Sequence, residues 1–348
     1  MRPNPVGRGQ QCLRQNGRAR VHHLIMAEDV RKGCRARENQ CRYATIGHVK
    51  SAFLIVNPVS GHGRLQDSRE TLLLALRPFA RDILITQGAG DAEAAARQAA
   101  LSGQYEAVLV AGGDGTVNEA VNGLVSARAE GGMQLPLGVV ARGTQNVLAH
   151  DLNLPQHDLP ATIAMLEQGR TRPIDLGRAG DRCFCLMAGF GFDAIVVQNV
   201  VPGVKDIFGP GAYALATFQT LAQYQSTSVR LTLDDEEVES EAYLVVVANA
   251  SSYALAQVKM APFASIDDGW LDVCVFERAP GDRIGFVTQI MAMFARRHLR
   301  DPRVRYYRAR RIVIDSHPPI QGQLDGDMFR ATPLTIDVMP RALEVFVP

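Results

Sequence analysis

Residues 107–124, AVLVAGGDGTVNEAVNGL, restrict what this chain can fold into more than any other stretch. Ala107 to Ala111 form an apolar run of strand length, and Val117, Val121 and Leu124 recur at helical spacing. A buried strand therefore enters a turn of three glycines and leaves it as a helix packed on one face. At such a junction unpaired amides and the positive end of the helix dipole converge, which favours an anionic phosphate. Glycines 112, 113 and 115 lack the Cβ atoms that would hold a ligand off the backbone. Asp114 would repel a phosphate unless a divalent cation bridged the two, and Mg2+, which prefers oxygen ligands, does that.

Similar segments precede and follow. Strands are expected at Ala52 to Val56, Asp82 to Thr86, Ala107 to Ala111 and Leu137 to Ala141. Helices are expected near Leu65 to Arg77, at Asp91 to Leu101, from Thr116 and from Thr144. This alternation implies βαβ units around a parallel sheet covered on both faces. After about residue 178 the texture changes to strand-like stretches at 228–233, 243–248, 271–276, 312–314 and 334–338, with Asp234-Asp235 as a hairpin turn. Helical stretches are expected at Gly211 to Tyr224 and Asp282 to His298. A chain of 348 residues suits two domains. The expected division is an α/β nucleotide-binding domain over 51–178 and a mainly antiparallel β domain over 179–348, whose last strand returns to the first domain.

Composition narrows the class. With 47% hydrophobic and 21% charged residues the chain is globular. No apolar stretch reaches the roughly 18 to 20 residues of a spanning helix. Six cysteines at irregular positions form no secreted disulfide framework, and no signal-peptide core follows the basic start, so a reducing cytoplasm is expected. Residues 1–50 carry eleven Arg/Lys against three Asp/Glu without a sustained period, and read as a poorly ordered basic tail. No nucleic-acid partner is expected, and a homodimer is compatible with the chain. A P-loop is excluded because none of the four lysines stands beside a glycine loop, and G-x-G-x-x-G follows no expected strand. Phosphate recognition must then rest on backbone amides, hydroxyls, Mg2+ and an arginine such as Arg64 or Arg142.

The order of motifs resembles the diacylglycerol kinase catalytic-domain superfamily, which includes bacterial soluble lipid kinases and sphingosine kinases. The resemblance is carried by Asn57-Pro-Val-Ser-Gly61, Gly112-Gly-Asp-Gly-Thr-Val-Asn-Glu119 and Gly143-Thr-Gln-Asn-Val-Leu-Ala149. It continues through Gly189-Phe-Gly-Phe-Asp-Ala194, Ala261-Pro262, Asp267-Asp-Gly-Trp-Leu-Asp-Val273 and Leu324-Asp-Gly-Asp327. It implies ATP bound between a phosphofructokinase- and NAD-kinase-like N-terminal domain and a C-terminal β-sandwich. Asn57, Thr86, Gly112, Gly113, Asp114, Gly115, Thr116, Val117, Asn118, Gly143 and Thr144 would contact the nucleotide. A structural Mg2+ would fall on Asp268 with the carbonyls of Ser265 and Trp270. The family's proposed general base falls on Asp327, an aspartate where glutamate is usual, which makes Asp325 a competitor. Ala141-Arg142 stands where a proline commonly precedes the Gly-Thr turn, and Val147 where many members have aspartate.

The residues alone point to phosphoryl transfer, because they offer donors and magnesium-binding acids rather than a covalent nucleophile. A carboxylate within reach of an alcohol can take its proton as the new bond develops. Asp327, Asp325 and Asp114 are the candidates, although Asp325-Gly326-Asp327 also reads as a plain hairpin turn. Asp193 reads equally as a helix cap. Cys183 and Cys185 read as buried thiols.

A lipid substrate must be met at a bilayer. An apolar stripe, Ile284, Val287, Ile290, Met291 and Phe294, precedes ARRHLRDPRVRYYRARR with eight arginines, so reversible contact with an anionic membrane surface is expected. The leading reading is an ATP-dependent lipid kinase with diacylglycerol as first substrate and sphingoid or other alcohols behind it. The alternatives are NAD-kinase-like phosphorylation of a soluble acceptor and a non-catalytic nucleotide-sensing protein that docks on membranes.

Overall fold

The continuous apolar runs of the first half become the inner strands of a parallel sheet. The computed structural model describes residues 44–47, 49–60, 69–194, 224–252, 258–278 and 283–348, all within one unit, Tyr43–Pro348. The basic tail up to residue 43, Gly61, Gly63 and Arg64, the start of the first expected helix, and the stretch expected from Gly211 (Tyr224 excepted) lie outside the described residues; the end of the expected tail is ordered instead, with Ala44 and Thr45 paired to Thr171 and Arg170 and Val49 buried in the core.

In chain order the first elements are β1 (Ala44–Thr45), β2 (Ala52–Val56), α1 (Arg69–Leu76), β3 (Ala80–Ile85), α2 (Asp91–Ser102), β4 (Ala107–Gly112), α3 (Asp114–Ala129), β5 (Leu137–Ala141), α4 (Val147–Asp151) and α5 (Leu159–Gln168). Strands β3, β2, β4 and β5 are neighbours in that order and all parallel. Every residue of β4 and β5 is buried, as expected for strands covered on both faces. Alanines 92, 96, 99 and 100 of α2 are buried, and small side chains let α2 lie close to α3. Gly123 makes the closest point: a Cβ there would lie 2.2 Å from the Glu93 carbonyl oxygen.

The chain runs from β2 outward to β3, then crosses back over β2 to β4. Such a reversal opens a crevice beyond the carboxyl ends of the strands. Asn57 follows β2, Thr86 follows β3, Gly113 follows β4 and Arg142-Gly143 follow β5, so the sequence candidates line that edge.

The second half contains β6 (Arg170–Ala179), β7 (Arg182–Phe184), β8 (Met187–Gly191), β9 (Thr227–Leu233), β10 (Glu236–Ala248), β11 (Leu271–Glu277), α6 (Arg283–Phe294), β12 (Val304–Ala309), β13 (Arg311–His317), β14 (Gly322–Leu324), β15 (Asp327–Phe329) and β16 (Leu334–Phe346). These strands pair antiparallel with one another. Their inward faces share a second core that includes Phe184, Phe190, Leu231, Val245, Val273, Ile312 and Ile336. This is the mainly antiparallel domain expected from the strand-like stretches, with the β-sandwich architecture that the resemblance implies. Strand β16 is the seam: it pairs antiparallel with β13 and β6, and its Val345 pairs parallel with Leu137 of β5. The β9–β10 hairpin turns at Asp234, whose φ is 52° and whose carboxylate accepts from the Arg310 and Arg311 amides at 2.9 Å.

Candidate active site

Two loops meet back to back at the strand ends. A Cβ on Gly143 would lie 2.6 Å from the Gly113 Cα and 2.8 Å from Asn146 Oδ1, so the approach of the two loops requires glycine. The Gly113 amide donates to Ser60 Oγ at 3.2 Å, and Asn57 Nδ2 donates to Thr116 Oγ1 at 2.8 Å. The Arg142 amide donates to the Gly112 carbonyl at 3.0 Å. Thr86 is buried, with its amide 2.9 Å from the Val56 carbonyl. These bonds hold four strand ends in one fixed surface.

Within α3 the amide of Val117 bonds to the Gly113 carbonyl at 3.1 Å. Helix geometry leaves the earlier amides, including those of Gly115 and Thr116, without intrahelical acceptors. Gly115 and Thr144 are exposed, and the space where a Gly115 Cβ would stand is open. The start of α3 is thus open to solvent at Gly115, a fit for phosphate oxygens. Not every residue of the motif is so exposed. The side chains of Thr116, Val117 and Asn118 are buried, Val117 in the core, and those of Thr116 and Asn118 bond to Asn57 and Asp325.

Asp114 also differs from expectation. Its Oδ1 accepts from the Leu148 amide at 3.3 Å, so it caps the start of α4. Burial raises its pKa, and hydrogen bonds from the Val147 and Leu148 amides oppose the rise. The motif acid thereby fixes the loop that carries Gly143.

The acids of the second half sit on a two-residue hairpin turn between β14 and β15. Asp325 and Gly326 both have positive φ, 49° and 97°, the demand that a tight hairpin places on a D-G pair. Asp325 Oδ2 accepts from Asn118 Nδ2 at 2.8 Å and from the Cys185 amide at 2.6 Å, while Oδ1 accepts from the Leu186 and Met187 amides at 2.9 Å. Burial nonetheless raises its pKa to about 6. With both oxygens engaged by four donors, Asp325 is corrected from rival base to the clamp that binds this turn to α3. Asp327, two residues on, is exposed. Partial burial raises its pKa and the Arg182 charge opposes the rise. Asp327 is therefore the acid of this turn that faces outward.

Deeper in, Gln323 joins the turn to Asp193. Its Nε2 donates to Asp193 Oδ2 at 2.5 Å and its Oε1 accepts from the Gly326 amide at 2.7 Å. A Cβ on Gly189 would fall 1.8 Å from Asp193 Oδ2, which explains the first glycine of Gly189-Phe-Gly-Phe-Asp. Asn122 and Asn118 add bonds from α3 to the Cys183 carbonyl at 3.0 and 3.3 Å. The sequence reading did not single out Gln323, Asn122 or Arg182. Their partners are 61 to 130 residues away in the chain or on another strand, and no local pattern marks them.

The loop expected to hold a structural cation is built otherwise. Asp268 Oδ2 accepts from Arg308 Nη2 at 2.5 Å and its Oδ1 from the Trp270 amide at 3.2 Å. Arg308 also lies 3.5 Å from Asp272, and the Trp270 ring is faced by Arg310 and Arg308 at 4.5 and 5.6 Å. Ser265 Oγ donates to Asp267, which Arg172 also holds at 2.6 Å. A guanidinium stands at the carboxylate a cation would need, so Ser265, Asp268 and Trp270 do not fit a resident Mg2+ as arranged. Among the described residues no group of three or more His, Cys, Asp or Glu could hold a metal ion.

Known proteins resemble both halves of the chain. Residues 51–179 match the model of the diacylglycerol kinase catalytic domain, and residues 187–347 match the YegS C-terminal NAD kinase beta sandwich-like domain. A diacylglycerol kinase of Staphylococcus saprophyticus is 30% identical over 302 residues, spanning 86% of this chain and 96% of the relative. The chain belongs to the diacylglycerol kinase family. A second such kinase, from Staphylococcus epidermidis, is 32% identical over 86% of this chain and 92% of its own. A crystal structure of a diacylglycerol kinase from Bacillus anthracis superposes with a TM-score of 0.67 at 25% identity, covering 86% of this chain and 97% of that one. Another from the same organism gives 0.70 at 24% identity, covering 86% and 98%. The kinase expectation, the parallel-sheet domain and the β-sandwich thus stand.

Proposed function

We propose that this chain transfers the γ-phosphoryl group of ATP to the hydroxyl of a membrane lipid, with diacylglycerol the first acceptor. The reading rests on the bond between Asn118 and Asp325, which ties the amide-lined phosphate cradle to the turn bearing Asp327. A domain division at 178/179 belongs to the same reading. Mg2+ arriving with the nucleotide would neutralise charge on the transferring group. The amides of Gly115 and Thr116 and the exposed Thr144 would orient the phosphates. Asp327 would accept the proton of the lipid hydroxyl as its oxygen bonds to the γ-phosphorus and the bond to the ADP oxygen breaks.

Membrane contact is part of the proposal, in revised form. Of the eight arginines, Arg303, Arg305, Arg308 and Arg311 are ion-paired with Asp301, Glu277, Asp268 and Asp337. Helix α6 buries Phe286, Gln289 and Met293 and exposes Met291 and Phe294 at 64% and 53%; Ile284 lies outside the residues whose side chains are described. The surface offered to an anionic bilayer is then Met291 and Phe294 with the exposed Arg297 and Arg300. Among the described residues no helix is long and apolar enough to cross a membrane.

The test is a panel of acceptors, comprising diacylglycerol, a sphingoid base and NAD, each with γ-labelled ATP. Label in phosphatidate supports the reading. Label only in a phosphorylated dinucleotide would establish the soluble-acceptor alternative, and nucleotide binding without any transfer the non-catalytic one. Sedimentation of the same preparation distinguishes monomer from homodimer.

A further inference from the structure

Helix α4 is held at both ends, and its far end is held by a charge cluster outside the motifs of the family. Asp151 closes α4 with its side chain only 7% exposed. An acid at the negative end of a helix dipole is unfavourably placed, and burial adds to that cost. Compensation comes from the other half of the chain. Lys259 Nζ donates to Asp151 Oδ1 at 3.1 Å, to Ser251 Oγ at 2.8 Å and to Ser252 Oγ at 2.7 Å. The Ser252 hydroxyl also donates to Asp151 Oδ1, and the Ser252 amide donates to Oδ2 at 3.1 Å. Ser252 itself is fully buried.

This cluster closes a ring. From Ser251 and Ser252 the chain leads back to Asn249 and Ala250, whose amides bond to the Leu186 carbonyl at 2.8 and 3.0 Å. The Leu186 amide bonds to Asp325, and Asp325 to Asn118 on α3. From Asp151 the other arm runs along the five residues of α4 to Asp114, at the start of the same α3. The helix spans only about 7.5 Å at the usual rise per residue, so a shift at one end is passed to the other. Gly143 and Thr144 stand in the loop that leads into α4, and the turn of Asp327 is attached at Asp325. The ring thus joins the phosphate side of the cleft to the acceptor side.

We infer that Asp151 and Lys259 are positioning residues, which set the spacing between the Gly143–Asn146 loop and the Asp327 turn without touching substrate. The inference rests on the proposed phosphoryl transfer, because the quantity set by that spacing is the approach of the acceptor oxygen to the γ-phosphorus. Misplacement of reacting groups by a remote change costs up to about 100-fold in rate. Loss of the tie should therefore appear chiefly in kcat: Thr144 moves with its loop, while the amides of Gly115 and Thr116, which belong to α3, keep most of the hold on ATP.

The experiment compares Lys259→Met, Asp151→Asn, the double variant and Lys259→Arg in full-length protein, with steady-state kinetics on ATP and diacylglycerol and hydrogen exchange over residues 143–152. The two single variants should lose roughly 10- to 100-fold in kcat with the KM for ATP near wild type. The double variant should lose no more than either single, and Lys259→Arg should keep most of the activity. Exchange over 143–152 should rise in the single variants and stay low in Lys259→Arg. Wild-type kcat in both single variants, a rise in KM for ATP in proportion to the loss, or losses that multiply in the double variant would overturn the inference. If wild-type protein phosphorylates no lipid, the functional reading fails, and unchanged exchange over 143–152 would then overturn the tie on its own.

Discussion

Asp325 and Asp327 show how much one step of position changes an acid's chemistry. Two residues apart on one turn, one is surrounded by donors and the other faces solvent. Asp325 has a folded pKa raised to about 6, above the roughly 3.9 of an unfolded aspartate, so between these values the folded state binds more protons. Its ionisation therefore disfavours the fold, fully so above about pH 6, and that penalty is relieved as pH falls toward 4. Thermal melts of wild type and Asp325→Asn should show wild type gaining on the variant over that interval. A difference in Tm that is flat with pH would refute the assignment. For Asp327 the raised pKa means that kcat should fall as acid protonates the carboxylate, a limb that Asp327→Asn should lack in its pH–rate profile.

At the scale of elements, the strands and helices of the first half were legible because buried parallel strands read as unbroken apolar runs: 52–56 and 137–141 have the expected limits. Strands β6 and β8 escaped the reading, and β7 was met only through the two-residue spacing of Cys183 and Cys185. Arg170 to Ala179 carries its charges at irregular spacing and includes a proline, and β7 has only three residues. The motifs fall on loops at strand ends, but sequence could not say which side of each loop is buried. Asn118, which the motif presents as a contact, turns to Asp325 instead, over a separation of 207 residues. The close approach of Gly113 and Gly143 yields a prediction at this scale. Gly143→Val places atoms within 2.6 Å of backbone, and such overpacking costs about 1–3 kcal/mol while parting the loops. Calorimetry should find ATP affinity lost, and an unchanged affinity would show that the phosphates lie elsewhere.

For the whole molecule, the seam at β16 means that the last strand completes both cores, with Val345 and Phe346 buried in the first and Ile336 in the second. The loop at 265–272 is held by Arg308 and Arg172, so a chelator should leave the Tm of the protein unchanged, whereas Arg308→Met should lower it. A drop in Tm on chelation, reversed by Mg2+, would restore the resident cation that Ser265, Asp268 and Trp270 suggested. Binding to anionic vesicles should weaken with salt and be lost in Met291→Ser/Phe294→Ser, since both the charge and the apolar contribution lie on α6 and its continuation. Equal sedimentation of wild type and variant with vesicles would place the membrane surface elsewhere.

The central claim is that one cleft combines phosphates held by backbone amides with an alcohol deprotonated by Asp327. Single-turnover transfer from bound γ-labelled ATP to diacylglycerol, in wild type and Asp327→Asn, tests it most directly. The account predicts unchanged ATP affinity in the variant and a rate lower by roughly 10²- to 10⁴-fold. Transfer by Asp327→Asn at the wild-type rate would contradict it.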